Sequence, residues 1–235
     1  MSNKNYYTFI EFRDLEVIFY VYDSNQENIY FKSEVFNFSK NNFIKSLSKI
    51  IKDNVHNIEK LINEFVNDVN IVLNLNKSIN IKLNVFKKKE NSEITNEDVK
   101  YLIQDARQQI IKYNSNLSIL HILIDKYYVD KIETQKILDK FKALNFSINL
   151  NFICYPSKDI VEFKNLFSGT QIQINKFICY EHLKSMLSKD SHDKKKIYSV
   201  AIKTIMGQNE NEVEIVPKIH KKYGFFEKLF KFLLK

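Results

Sequence analysis

Ser92-Glu93-Ile94-Thr95-Asn96-Glu97-Asp98-Val99 stands between two stretches of different period. Before it, over residues 78–87, Ile79, Ile81, Leu83 and Val85 alternate with Asn80, Lys82 and Asn84, the pattern of a strand with one buried face. After it, Val99, Leu102, Ile103, Ala106 and Ile110 recur at spacings of three and four, which places them on one stripe of a helix. Thr95 is predicted to cap that helix, with Asp98 three residues on forming a capping-box-like pair and Glu97 favoured by the positive helix end. Residues 87–93 read as a charged turn. The unit is strand, turn, helix.

Similar patterns extend in both directions. Residues 6–13, 15–23 and 28–36 are rich in Tyr, Phe, Val and Ile with short polar breaks, and predict a meander of three strands. Phe43, Leu47, Ile51, Val55, Ile58, Ile62, Phe65 and Val66 mark a long amphipathic helix, and residues 69–75 a strand. Downstream, residues 117–124 are almost continuously apolar, as in a strand covered on both faces, and 127–130 carry it on. Strands are expected at 148–155 and 171–180, and helices at 159–167, 182–187 and 197–206, with Gly169 as a helix stop. Residues 207–222, polar and containing Pro217, read as a linker.

Composition excludes several classes of function. Three Gly and two Pro in 235 residues leave little material for phosphate-cradling loops. The net charge of +8 points to an anionic partner, yet Arg13 and Arg107 are the only arginines, so nucleic-acid recognition, which favours the planar guanidinium, is not expected. No apolar run approaches the ~20 residues that cross a bilayer, and the first residues lack the basic-then-apolar layout of a secretory signal, so a cytoplasmic body is expected. Cys154 and Cys179 sit singly in apolar strands and read as small buried hydrophobes.

No constellation reads as an active site. The five histidines, at 56, 121, 182, 192 and 220, are scattered without ligand spacing, so no metal site, cofactor site or catalytic residue is expected. His121 reads as a hydrogen-bonded core residue, and Asp125 and Asp130 as turn and sheet-edge residues.

The last residues differ from the rest. Helical phasing from Gly224 gathers Phe225, Phe226, Leu229, Phe230, Phe232, Leu233 and Leu234 on a broad apolar face, with Lys228, Lys231 and Lys235 on the polar one. Eleven residues extend about 16 Å as a helix, enough to lie in a membrane interface and too short to span it. These ten residues are the candidate membrane-binding set, and the expected surface is an anionic bilayer. The competing reading is a final helix packed on the body or in a partner's groove.

In this order the elements resemble the bacterial cell-division protein FtsA, a membrane-tethered actin-like family. Residues 92–99 with Ala106-Arg107 are similar to that family's E-I-T-x-x-D-V…A segment, and Leu120-His121-Ile122 with Tyr127-Tyr128-Val129-Asp130 to its H-x-x-P-x-x-Y-x-x-D element, with Asp125 or Lys126 in place of the proline. Residues 148–187 resemble the segment that re-enters the main domain, and the Phe/Leu/Lys end resembles the family's membrane-targeting helix. Where the family's first hairpin carries D-x-G-T/S-x-K, this chain has Glu11-Phe12-Arg13-Asp14-Leu15-Glu16. A bulky acidic turn is poor at holding triphosphate. The resemblance also has no counterpart for the second phosphate motif, the adenosine site or the subdomain that receives the tail of FtsZ. Neither ATP binding nor FtsZ docking is therefore carried over.

The resemblance implies an α+β fold: a partial actin-like (ribonuclease H-like) sheet, an inserted strand-helix-strand-strand subdomain of the type called 1C, and a C-terminal amphipathic helix. The expected organisation is residues 1–68 and 148–206 for the actin-like part, 69–147 for the insertion, 207–222 for the linker and 223–235 for the helix. The implied function is that of a truncated, degenerate adaptor without nucleotide hydrolysis, on the cytoplasmic face of the membrane at midcell. Its partners would be division proteins and further copies of itself through the 1C-like part. Alternatives are an actin-like partner-binding protein of type IV pilus assembly, and a binding protein of a phage or mobile element.

Overall fold

The computed structural model describes residues 6–36, 43–134, 142–187, 194–209 and 211–213. Strands β1 (Tyr6–Arg13), β2 (Glu16–Asp23) and β3 (Asn28–Val35) form the antiparallel meander, and helix α1 (Phe43–Ile62) returns the chain to β4 (Asp68–Asn74). β4 lies parallel to β1, and β9 (Gln173–Cys179) lies parallel to β4, which gives a five-stranded sheet of order β3-β2-β1-β4-β9. Strands in its middle are buried on both faces, so their composition is near-continuously apolar. One face is covered by α1 and α3 (Ser157–Phe167), where Leu47, Ile51, Val55, Ile58, Ile160 and Phe163 meet Ile10, Phe12, Phe19 and Ile71. The other is covered by α4 (Tyr180–Ser185) and α5 (Lys194–Ile205), through Leu183, Ile197, Tyr198, Ala201 and Ile202.

Between β4 and α3 the chain builds a second, fully antiparallel sheet. Its strands are β5 (Ile79–Glu93), β6 (Leu117–Val129), β7 (Ile132–Thr134) and β8 (Lys142–Pro156), in the order β5-β8-β6-β7. Helix α2 (Asn96–Tyr113) lays Leu102, Ala106 and Ile110 against Val85, Ile122, Phe146, Ile148, Leu150 and Phe152 of one face. Leu120, Ile153 and Tyr155 belong to the core that α1 and α3 share with the first sheet, so the two sheets are joined by apolar packing.

The cap of α2 forms as its sequence predicts. Thr95 Oγ1 accepts from the Asp98 N–H at 3.3 Å, and Asp98 Oδ2 accepts from the Thr95 N–H at 2.8 Å. Asp98 also receives Lys87 and Lys89, each at 2.7 Å. Burial pulls its carboxyl up, but these ammonium and Thr95 hydrogen bonds outweigh it and hold the group below the ordinary carboxylate range. Thr95→Ala is expected to cost about 1 kcal/mol in urea unfolding. A loss below a few tenths would show that the cap contributes nothing.

Several expectations are corrected. Residues 87–93 are not a turn: β5 runs on to Glu93, with a bulge at Glu90 and Asn91, both left-handed (φ 50° and 59°), and Ser92 and Glu93 still pair with Ala143 and Lys142. The lysines can stay in the strand because Asp98 neutralises two of them. β4, grouped with the insertion in the sequence reading, belongs to the first sheet, where both faces are covered. α1 stops at Ile62, followed by left-handed Asn63, so Phe65 is off the helical stripe and exposed. α3 ends at Phe167 as expected, but its C-cap is Ser168 and not Gly169. Asp130 and Lys131, both left-handed, make the two-residue β6–β7 hairpin, and Asp130 Oδ1 accepts from the N–H groups of Leu144 and Asn145. As expected, Cys154 and Cys179 are buried free thiols, and burial pushes Cys154 up to about 11.

Candidate functional site

Apart from the Asp98 cap, the buried carboxylates and histidines among the described residues gather in two clusters. The first is the β1–β2 hairpin end, where the resemblance puts the phosphate-binding turn. Glu11 is wholly buried at the end of β1. Its Oε1 accepts from Asn74 Nδ2 at 2.7 Å and from Arg13 Nε at 2.5 Å, while the Tyr198 hydroxyl of α5 donates to Oε2. Arg13 also reaches Glu16 Oε1 at 2.7 Å, and Ser33 donates to Glu16 Oε2 at 2.6 Å. Burial works against the charge on Arg13, but Glu11 and Glu16 outweigh it and strengthen its proton affinity. Burial, and then the Glu11 charge, raise the Tyr198 hydroxyl well above its ordinary value. The hairpin end is thus a closed ion-pair and hydrogen-bond cluster, negative where a phosphate would need backbone N–H groups.

The second place was not legible as a site in the sequence. His121 on β6, His182 on α4 and Glu212 beyond α5 meet, with the two rings 4.4 Å apart. Residues 207–209 and 211–213, expected to be linker, are packed here instead. Glu212 Oε1 lies 2.7 Å from His121 Nδ1 and 3.5 Å from Lys176 Nζ; Oε2 lies 3.2 Å from His182 Nε2 and 2.8 Å from Asn209 Nδ2. The Cys179 N–H donates to His121 Nε2 at 3.0 Å, which assigns the His121 proton to Nδ1, facing Glu212. Burial lowers His121 to about 4, more than its bond to Glu212 can raise it. For Glu212, burial raises the carboxyl, but the hydrogen bonds from His121, His182 and Asn209 outweigh it and hold it far below the ordinary range.

Two histidines and a glutamate, with ligand atoms within 4.8 Å of one another, are a donor set that zinc accepts. The surroundings do not fit a cation. Binding through His121 Nδ1 would move its proton to Nε2, against the Cys179 N–H, and the Lys176 ammonium already stands at the carboxylate. The cluster is instead a carboxylate pocket. It opens on a cleft of about 500 Å³ lined by Leu123, Asp125, Lys126, Ser185, Met186 and Asn211 among others. A shallower basin of about 550 Å³ lies on the second sheet opposite α2, lined by Asn84, Phe86, Tyr128, Lys131, Asn145 and Ser147 among others.

The candidate membrane residues Phe225, Phe226, Lys228, Leu229, Phe230, Lys231, Phe232, Leu233, Leu234 and Lys235 lie outside the described residues, as do His192 and His220. Among the described residues no helix is long and apolar enough to cross a membrane.

No protein-family model matches the chain. No curated protein matches it. Among solved structures it is similar to a chain of a PilM-PilN type IV pilus biogenesis complex, at 8% identity and a TM-score of 0.51, over 77% of this chain and 49% of that one. A Bacteroides thetaiotaomicron protein described as having an actin-like ATPase fold and unknown function aligns at 11% identity over 77% of this chain and 55% of that one, with a TM-score of 0.33. The chain therefore spans about half the length of the solved structures it matches. The two sheets with their covering helices agree with the α+β class expected from the sequence, and the likeness to the pilus structure is one of fold alone.

Proposed function

We propose that this protein is an actin-like adaptor that binds protein partners at an anionic membrane surface and does not turn over nucleotide. The observation that carries the reading is the hairpin end: Glu11, Arg13, Asn74 and Tyr198 satisfy one another where an actin-like nucleotide site would present free donors. Membrane attachment rests on the amphipathic pattern of residues 225–235, and the division role on the motifs at 92–107 and 120–130. In this reading the second sheet, with its open basin, faces other division proteins or further copies. The likeness to the pilus complex favours a second reading, a partner-binding protein of pilus assembly, at the level of fold.

Sedimentation with anionic vesicles tests the tether. Phe226→Glu with Phe230→Glu is expected to abolish co-sedimentation, while Lys228→Gln with Lys231→Gln weakens it and blunts its salt dependence. Normal sedimentation of the double Phe variant would remove the membrane from the proposal. Calorimetry with Mg-ATP is expected to give no saturable heat up to millimolar concentration, and a micromolar dissociation constant would overturn the closed-site reading and favour an enzyme over the adaptor. A fluorescent fusion separates the partners: a midcell band supports division, polar foci support pilus assembly.

A further inference from the structure

The segment that delivers Glu212, described at residues 207–209 and 211–213, is a strap with its own geometry. After α5 the chain reverses at Gly207, which is left-handed (φ 68°), while the Gln208 N–H donates to the Lys203 carbonyl at 2.9 Å. The strap then runs along β6. The Ile124 N–H donates to the Asn211 carbonyl and the Val213 N–H to the Ile122 carbonyl, both at 2.8 Å, and Glu212 pairs with Leu123 as an antiparallel bridge. β8 holds the other side of β6, and β7 pairs only with Tyr127 to Val129, so the strap covers a strand edge that the second sheet otherwise leaves open. Such an edge is a template for an added strand.

Little apolar surface holds the strap down. Among the described residues of the strap, Val213 is the one packed on a core cluster. The Glu212 pocket is therefore the anchor, and its chemistry is selective. His121 Nδ1, His182 Nε2, Asn209 Nδ2 and Lys176 Nζ all present protons to the carboxylate. A glutamine there would turn an NH₂ group toward at least one of these donors.

We propose that the β6 edge and the His121–His182 pocket form one docking site that reads an extended acidic segment, and that the chain occupies it with its own Asn211, Glu212 and Val213. The strap is then a latch. When Glu212 leaves the pocket, the edge is open to a strand of the same chemistry, an extended peptide with a glutamate followed by an apolar residue. This goes beyond the adaptor reading and does not depend on it.

The test uses the full chain, its Glu212→Gln variant, and a labelled synthetic peptide with the sequence of residues 209–216. Hydrogen exchange at Ile124 and Val213 is expected to speed up about tenfold or more in Glu212→Gln, while amides of the central strands β1 and β4 keep their protection. The peptide should bind the variant and bind the unaltered chain about tenfold more weakly, because there the site is self-occupied. A peptide with glutamine in place of the glutamate should bind neither. Val213→Pro, which removes the N–H that pairs with Ile122 and leaves the pocket side chains intact, supplies the same two readouts if Glu212→Gln fails to fold. Unchanged exchange, equal binding of both peptides, or equal binding to both chains would overturn the proposal.

Discussion

Glu11→Ala is expected to lower the unfolding free energy by about 3–5 kcal/mol, because it leaves buried charge and hydrogen-bonding groups without their partner. Arg13 would lose the nearer of its two carboxylates, and Tyr198 the acceptor for a hydroxyl packed among Phe9, Tyr20 and Tyr22. Asn74 would lose its contact as well, so the ends of β1 and β4 and the start of α5 loosen together. For a chain of this length each kcal/mol corresponds to about 2–4 °C in midpoint temperature. Arg13→Ala should cost less, since Glu11 would keep Tyr198 and Asn74. Urea and thermal unfolding followed by circular dichroism measure both. A loss under about 1 kcal/mol for Glu11→Ala would mean that the carboxylate reaches water and that the hairpin end is open, which would also reopen the question of phosphate binding.

Acidification is expected to destabilise the fold from just below neutral pH. His121 has its ordinary value near 6.5 in the unfolded chain and about 4 in the folded one, so between these values the unfolded state binds the extra proton. The contribution is complete above about 6.5, declines as the pH falls, and is lost at about 4, a total of about 3 kcal/mol. The reason is the full burial of the imidazole, which penalises its charged form, and a protonated ring would also point an N–H at the Cys179 N–H. Below that range Asp98 and Glu212, both held low in the folded state, add further loss as they are protonated. Urea titrations at pH 7, 5.5 and 4 should show the decline, and His121→Asn, which retains one donor and one acceptor, should flatten it. An unchanged slope in that variant would place the titration elsewhere.

Much of the architecture was readable in the sequence because it is written in local patterns. The spacing of Leu47, Ile51, Val55 and Ile58 is a helical stripe whatever it packs against, and Thr95 with Asp98 closes a cap within four residues of chain. The apolar run from Leu117 reports a strand covered on both faces, and Asp130-Lys131 a turn. The amphipathic pattern of residues 225–235 belongs to the same class of information, since periodicity alone carries it. What required the tertiary structure was pairing. Whether β4 joined the first sheet or the insertion depended on β1 and β9, and the length of β5 depended on β8 and on Asp98 drawing in two lysines. The carboxylate pocket was out of reach for the same reason: Glu212 lies 91 residues from His121 and 30 from His182, and no spacing rule links a strand, a short helix and a strap. Local pattern records how one element meets solvent and core, whereas the partners of a buried polar group are set by which elements the topology brings together, and that is decided only when the whole chain has closed on itself.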